Sequence, residues 1–512
     1  MKPINYITFC LLIFSISSCK KYLDKVPLDS INTSNSFQTA DDAINAVNAA
    51  YQPLQRPKLY NLRMWTSDIM AGNSVVGAGG GTDGIETVEE ANFTTDPSNT
   101  GVLDLWRGPW PGILSCNLVI QNVPNIKMDE TLRNRILGEA KFLRANYYFI
   151  LVRYFGDVPL ITTPQSTKDT NYYPSRVNKQ KIYDLMVQDL KDAINLLPTR
   201  NTYTGADVGR ASKGSAVGLL AKIYLTLGDY ADVIPLCQQV TSMGYSLNAN
   251  YADNFNPADK NGPESLFEVQ FSGQTTYGFF DDLNQASWTS TFMGPRNTTF
   301  VGGAYGWNQP TQEFVDSYEP GDKRKDQTIL YQGCPDFYGN VYSGTYSTTG
   351  YNVRKFLVPT SVSPQYNTSN EDFPVLRYAD VLLMQAEALN ETGKTAEAQL
   401  PSTDANATLN KVRARAGLPD VTGLNQSALR DKILHERRIE LAFEGDRWFD
   451  LIRVNNGQYG LNFLHSIGKT NATTKNLLLP AVLVCACNAK HANKAAITRT
   501  FFFMLRFFLS FS

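Results

Sequence analysis

The sequence predicts a mainly α-helical protein, a scaffold of helix-turn-helix hairpins that carries long loop-rich insertions. Three observations carry that prediction. Apolar residues recur at helical spacing in several segments, glycine turns join those segments in pairs, and two long Gly-, Asn- and Tyr-rich stretches between them have little period. At 512 residues the chain is long enough to bury a large core. Its 47 basic and 48 acidic side chains leave a net charge of -1, which removes any electrostatic case for binding nucleic acid. The aromatic load is high, with 26 Tyr, 27 Phe and 6 Trp. Such rings serve cores, interfaces and the stacking platforms on which sugars or bases rest.

The elements follow in chain order. MKPINYITFCLLIFSISSC has one Lys, an apolar run from Ile7 to Ile16 and then small residues, the pattern of a secretory signal over residues 1–18. The run is too short to cross a bilayer as a helix of about 20 residues. Ile16, Ser17 and Ser18 precede Cys19 as in a bacterial lipobox, with Ile in place of the usual Leu, so Cys19 is expected to carry lipid and residues 19–36 to act as a tether. DDAINAVNAAYQPL opens the folded part, expected as a single domain over 37–480. In Ala216–Tyr245, Ala221, Tyr224, Leu225 and Leu227 precede Gly228, and Tyr230, Ala231 and Ile234 follow it. This Gly-Asp-Tyr turn between two amphipathic helices resembles a tetratricopeptide hairpin, in which small residues let two helices approach. A second unit is expected over Val375–Gln399, turning at Gly393, and a looser third joins Glu139–Ile161 to Lys181–Pro198. Unequal insertions separate the units, so the scaffold, about 37–250 and 373–480, is no uniform array. The stretches 73–99 and 250–372 read as aperiodic grafts, and ligand binding is expected there rather than on the helices.

The chemically densest stretch is HERRIELAFEGDRWFDLIR, His435–Arg453. On one continuous helix Glu436, Glu440 and Glu444 share a narrow face, and Arg437, Arg438, Arg447 and Arg453 are the expected bidentate partners, with Phe443, Trp448 and Phe449 as an apolar anchor and Asp450 close by. The pattern is expected to be a structural ion-pair network. A zinc-protease HExxH is excluded because Ile439 stands where its second His belongs. There is no GxSxG elbow, no phosphate-binding GxxxxGK[ST] loop and no dinucleotide fingerprint, so no catalytic residue and no cofactor are assigned. Ca²⁺ in the Asp- and Asn-rich loops lacks any EF-hand spacing. The separated Cys116, Cys237 and Cys334 give no disulfide framework.

KKYLDKVP after Cys19, GEAKFLRANYYFILVRYFGDVPLI, RYADVLLMQAEALNETG, LNKVRARAGLP and ERRIELAFEGDRWFDLIR, in that order over about 19–480, resemble the SusD/RagB family of outer-membrane lipoproteins. The resemblance implies a lipid-anchored, cell-surface protein without enzymatic activity. It would capture an oligosaccharide or another nutrient for a SusC-like TonB-dependent transporter. It also makes Glu436, Arg437, Arg438, Glu440, Glu444, Arg447, Trp448 and Asp450 a structural signature. The family's ligand side corresponds here to Trp65, Asp68 and Asn73, then Tyr277, Trp288, Arg296, Tyr305 and Trp307. Trp288 and Arg296 lead, because they lie in the least periodic part of the graft. The competing structural reading puts Trp65 and Trp307 in the core, makes Asp68 a cap and makes Arg296 a surface charge. Two other functions compete with capture, a surface hydrolase and a tetratricopeptide-type adaptor for peptides. After NLLLP the run AVLVCACNAKHANKAAITRTFFFMLRFFLSFS departs from the family's polar ending, so residues 481–512 are expected to be a frameshifted tail.

Overall fold

The computed structural model describes residues 37–165, 174–273 and 282–480. Cys19, the signal and tether segments, Tyr277 and the 481–512 tail lie outside the described residues. The principal helices are α1 (Ala40–Tyr51), α2 (Pro109–Asn122), α3 (Glu130–Phe155), α4 (Lys179–Leu196), α5 (Lys213–Leu227), α6 (Tyr230–Ser242), α7 (Tyr378–Glu391), α8 (Leu409–Arg415), α9 (Gln426–Glu440), α10 (Arg447–Arg453) and α11 (Gln458–Ser466).

Local chemistry sets their ends. Thr39 and Asp42 close a capping box at the start of α1, and Asp129 caps α3 through the Leu132 amide. Gly228, in the left-handed region at φ 81°, ends α5, and α6 begins two residues later. That is the hairpin expected from Gly-Asp-Tyr. Consecutive helices then stack, with α3 between α2 and α4, α5 on α4 and α6, and α7 between α6 and α9. Val217, Ala221, Val233, Cys237, Leu382, Leu383, Ala386, Leu429 and Ile433 fill the core of the later hairpins.

Two expectations need correction. The second unit does not return as a full helix after Gly393, since only Thr395–Ala398 is helical before Pro401, and α7 takes α6 and α9 as its neighbours instead. The first graft is also more ordered than expected, with Ile85–Ala91 forming a helix.

Among the described residues, four two-stranded antiparallel pairs complete the fold. They are β1 (Ser74–Val76) with β5 (Asn308–Pro310), β2 (Val158–Pro159) with β3 (Arg176–Val177), β4 (Ser265–Val269) with β8 (Phe373–Arg377), and β6 (Ile329–Leu330) with β7 (Asn352–Val353). The β4–β8 pair joins the beginning and end of the central insertion and closes its base on α5. The β1–β5 pair brings the two grafts together.

Candidate functional site

The stretch that looked most catalytic is a locked base. α9 ends at Glu440, not beyond Arg447, and a turn with Phe443 at φ 64° and Gly445 at φ 86° carries Glu444 onward. The aligned Glu436, Glu440 and Glu444 do not pair with the neighbouring Arg437, Arg438, Arg447 and Arg453 as expected. Their partners come from elsewhere in the chain. Arg377 of β8 donates to Glu444 at 2.7 and 2.8 Å and to Glu440 at 3.0 Å. Arg324 lies 2.6 Å from Glu436 and 3.0 Å from Glu440, Arg413 reaches Glu436 at 2.9 Å, and Lys355 reaches Glu444 at 2.6 Å. Arg415 pairs with Glu440 and, at 2.7 Å, with Glu264.

The reason for the correction is angular. Successive helical side chains diverge by about 100°, so Arg437 and Arg438 face away from the glutamates. Arg437 bonds Asp380 at 2.7 Å and Asp450 at 2.9 Å, and Arg438 bonds Asn73 and Glu313. Arg447 lies over Phe463, and Trp448 packs beside Phe93. Burial works against ionised Glu440, but Arg415, Arg377 and Arg324 outweigh it and hold its carboxyl well below the usual range. Burial pushes Lys355 down to about 8 despite Glu444. Glu436, Glu440 and Glu444 are thus buried and ion-paired, which withdraws their carboxylates from the surface.

Most of the expected ligand residues are interior as well. Trp288 is 0% exposed, stacked on Phe292 at 6.1 Å, and its amide donates to Asn61. Trp65 is buried edge-on to Trp307 at 5.3 Å, and Trp307 donates its indole N–H to the Asp83 carbonyl. This corrects the expectation that these tryptophans present stacking faces; their large apolar surfaces are used for the core. Asp68 accepts from the amides of Phe443 and Gly445 at 3.2 and 3.1 Å and so fixes the turn after α9. Its buried carboxyl is raised to about 6, desolvation outweighing those hydrogen bonds and the one from Asn73. Asn73 itself bridges Asp68 and Arg438. Only Arg296 and Tyr305 of the described candidates reach the outside. Arg296 forms a surface ion pair with Asp83 at 2.8 Å, and Tyr305 is half-buried, edge-on to Phe292.

Around these two residues the structure assembles a face that sequence reasoning missed. Its loops pack on Phe300, which is itself buried, stacked on Phe337 at 6.0 Å and edge-on to Tyr346 at 5.9 Å. Phe300 thereby joins loop 294–311 to loop 331–351, whose Tyr338 is 67% exposed. The Thr360 amide donates to the Phe300 carbonyl, tying in loop 357–370, whose Tyr366 is 53% exposed. Gly303, at φ 88°, lets that loop come close, since a Cβ there would lie 2.9 Å from the Tyr366 Cβ. The Arg296–Asp83 pair attaches the first graft, and Gln309 accepts from Thr348 at 2.7 Å across the loops. The three loops thus meet around Phe300, and they carry the exposed Tyr338 and Tyr366 among Asn, Ser and Thr. The signal available in the sequence was tyrosine inside aperiodic, nearly uncharged loops.

A cleft of about 500 Å³ lies far from this in sequence, between Thr395–Gln399 and Thr422–Gln426, and no aromatic ring lines it. Among the described residues no group of three or more His, Cys, Asp or Glu side chains is placed to hold a metal ion. Nor is any described helix long and apolar enough to cross a membrane.

A stack of helical hairpins that displays a looped aromatic surface defines a scaffold-and-graft class, and comparison with known proteins places the chain within it. Residues 236–477 match the SusD family model, and residues 21–225 match a model described as starch-binding and associating with the outer membrane. The chain belongs to the SusD/RagB family. It is 29% identical over 485 residues to SusD-like protein P38 of Formosa agariphila, covering 88% of this chain and 91% of the relative. A laminarin-binding SusD-like protein superposes with a TM-score of 0.74 at 28% identity, over 87% of this chain and 97% of that one. Surface glycan-binding protein A from Bacteroides thetaiotaomicron superposes at 0.70 with 26% identity, over 83% and 92% of the two chains. These two solved relatives are named for binding, not for catalysis.

Proposed function

We propose that the protein captures an oligosaccharide at the outer-membrane surface and passes it to a SusC-like TonB-dependent transporter, with Cys19 as its lipid anchor and 37–480 as one domain. The observation that carries this reading is the tyrosine face built by loops 294–311, 331–351 and 357–370. A pyranose offers apolar C–H faces to aromatic rings and a rim of hydroxyls to amide and hydroxyl side chains. Tyr338 and Tyr366 supply the first kind of contact. Asn297, Thr299, Asn340 and Thr345, in the same loops, supply the second. Arg296 and Tyr305 remain from the sequence-derived set as contacts at the edge of that face. The relatives' glycan ligands and the outer-membrane association of the matching family model support the same reading.

Calorimetric titration with laminarin and starch oligosaccharides tests it. Saturable heat without new reducing ends is expected. No heat with any glycan, or release of reducing ends, contradicts it. Labelled palmitate is expected in the wild type and absent after Cys19→Ser, and the transporter is expected to co-purify from outer membranes.

A further inference from the structure

The ligand's charge class follows from the loops that build the face. Across the whole chain 19% of residues are charged, yet residues 331–351 contain Asp336 as their single Asp, Glu, Lys or Arg. Residues 294–311 contain only Arg296, and residues 357–370 contain none. The ionisable groups that border these loops are already engaged. Arg296 is paired with Asp83, and Arg354 donates to the carbonyls of Pro335 and Asp336 at 2.6 and 3.1 Å. Lys325 sits 4.9 Å from the Tyr331 ring centre, and Asp326 accepts from the Tyr331 hydroxyl.

A saccharide bearing carboxylate or sulfate groups gives up hydration when it lies on such a surface, and it regains that free energy only from cationic partners, preferably bidentate arginine. Here the one cation within the three loops would first have to leave Asp83. A neutral saccharide asks only for rings and hydrogen-bonding side chains, which the loops hold in number.

Building on the capture reading above, we infer that the face is selective for uncharged glycans and excludes uronic-acid-containing and sulfated ones. The selectivity comes from the near-absence of charge in the binding loops rather than from a repulsive group. Specificity of this kind is a difference of affinities, set by the cost of desolvating the anion without a partner.

The test is a titration panel with the full chain. Neutral β-glucan, α-glucan and xylan are compared with alginate, polygalacturonate and a sulfated galactan, each at ionic strengths of about 0.01 M and about 1 M. The inference expects binding to one or more neutral glycans, an affinity that changes by less than about twofold between the two salt conditions, and no saturation by any anionic glycan. Binding of an anionic glycan at least as tightly as the neutral ones, weakened about tenfold or more by salt, overturns the charge selectivity and leaves glycan capture standing. Binding of none overturns both.

Discussion

The base around α9 and the loop face around Phe300 use charge in opposite ways. In the base, Arg324, Arg377, Arg413 and Lys355 are buried against Glu436, Glu440 and Glu444, and each ion is held by more than one partner or by the turn after α9. In the face, charge is nearly missing and tyrosines stand exposed. The difference teaches where to look in this chain. The conspicuous acids and arginines fix how the insertion meets the scaffold, because Arg324, Lys355 and Arg377 all come from the insertion or its closing strand. The inconspicuous polar loops provide the surface a ligand can reach.

The comparison can be broken most forcefully at Arg377. Arg377→Met removes the cation that touches Glu264, Glu440 and Glu444 together and is expected to cost about 3–5 kcal/mol in urea unfolding; a loss below about 1 kcal/mol would mean that the network does not hold the base. On the other side, Trp288→Ala opens a cavity in the core against Phe292 and should cost about 3–5 kcal/mol. Its effect on binding should track unfolding rather than direct contact with a ligand.

Acid sharpens the contrast. Hydrogen bonds from Arg413 and Lys432, working against burial, lower Glu319 from 4.5 to about 2. A carboxylate depressed in the folded state adds stability that is fully present above its unfolded value and lost as protons are taken up. The melting temperature should therefore fall as pH drops from 4.5 toward about 2, and Glu319→Gln should flatten that part of the curve. An unchanged slope in the variant would remove Glu319 from the account. The smallest stability effect is expected at Tyr338→Ala, within about 0.5 kcal/mol, because the ring lies outside the core.

Much of the scaffold was legible in the sequence. Gly228 between two amphipathic segments marks the α5–α6 hairpin, and the same period marks α3 and α4. The ion-pair character of His435–Arg453 was legible too, but its wiring was not. Glu440 bonds Arg324 and Arg377, separated from it by 116 and 63 residues, and no local spacing reveals such partners. The site was less legible still. Tryptophan and tyrosine in an aperiodic loop look alike as platforms, yet the fold buried Trp288 and Trp307, whose rings carry the larger apolar area, and left Tyr338 and Tyr366 outside. Asp68 read as a ligand contact, and its cap on the turn at Phe443 depends on a residue 375 positions away.

The most direct test of the central claim, that the charge-poor tyrosine face binds the glycan while the charged base supplies stability, is the affinity of the Tyr338→Ala, Tyr366→Ala double variant for laminarin, measured beside its melting temperature. The account predicts a loss of about tenfold or more, equivalent to at least about 1.4 kcal/mol, with the unfolding transition retained. A folded double variant that binds as tightly as the wild type would contradict it.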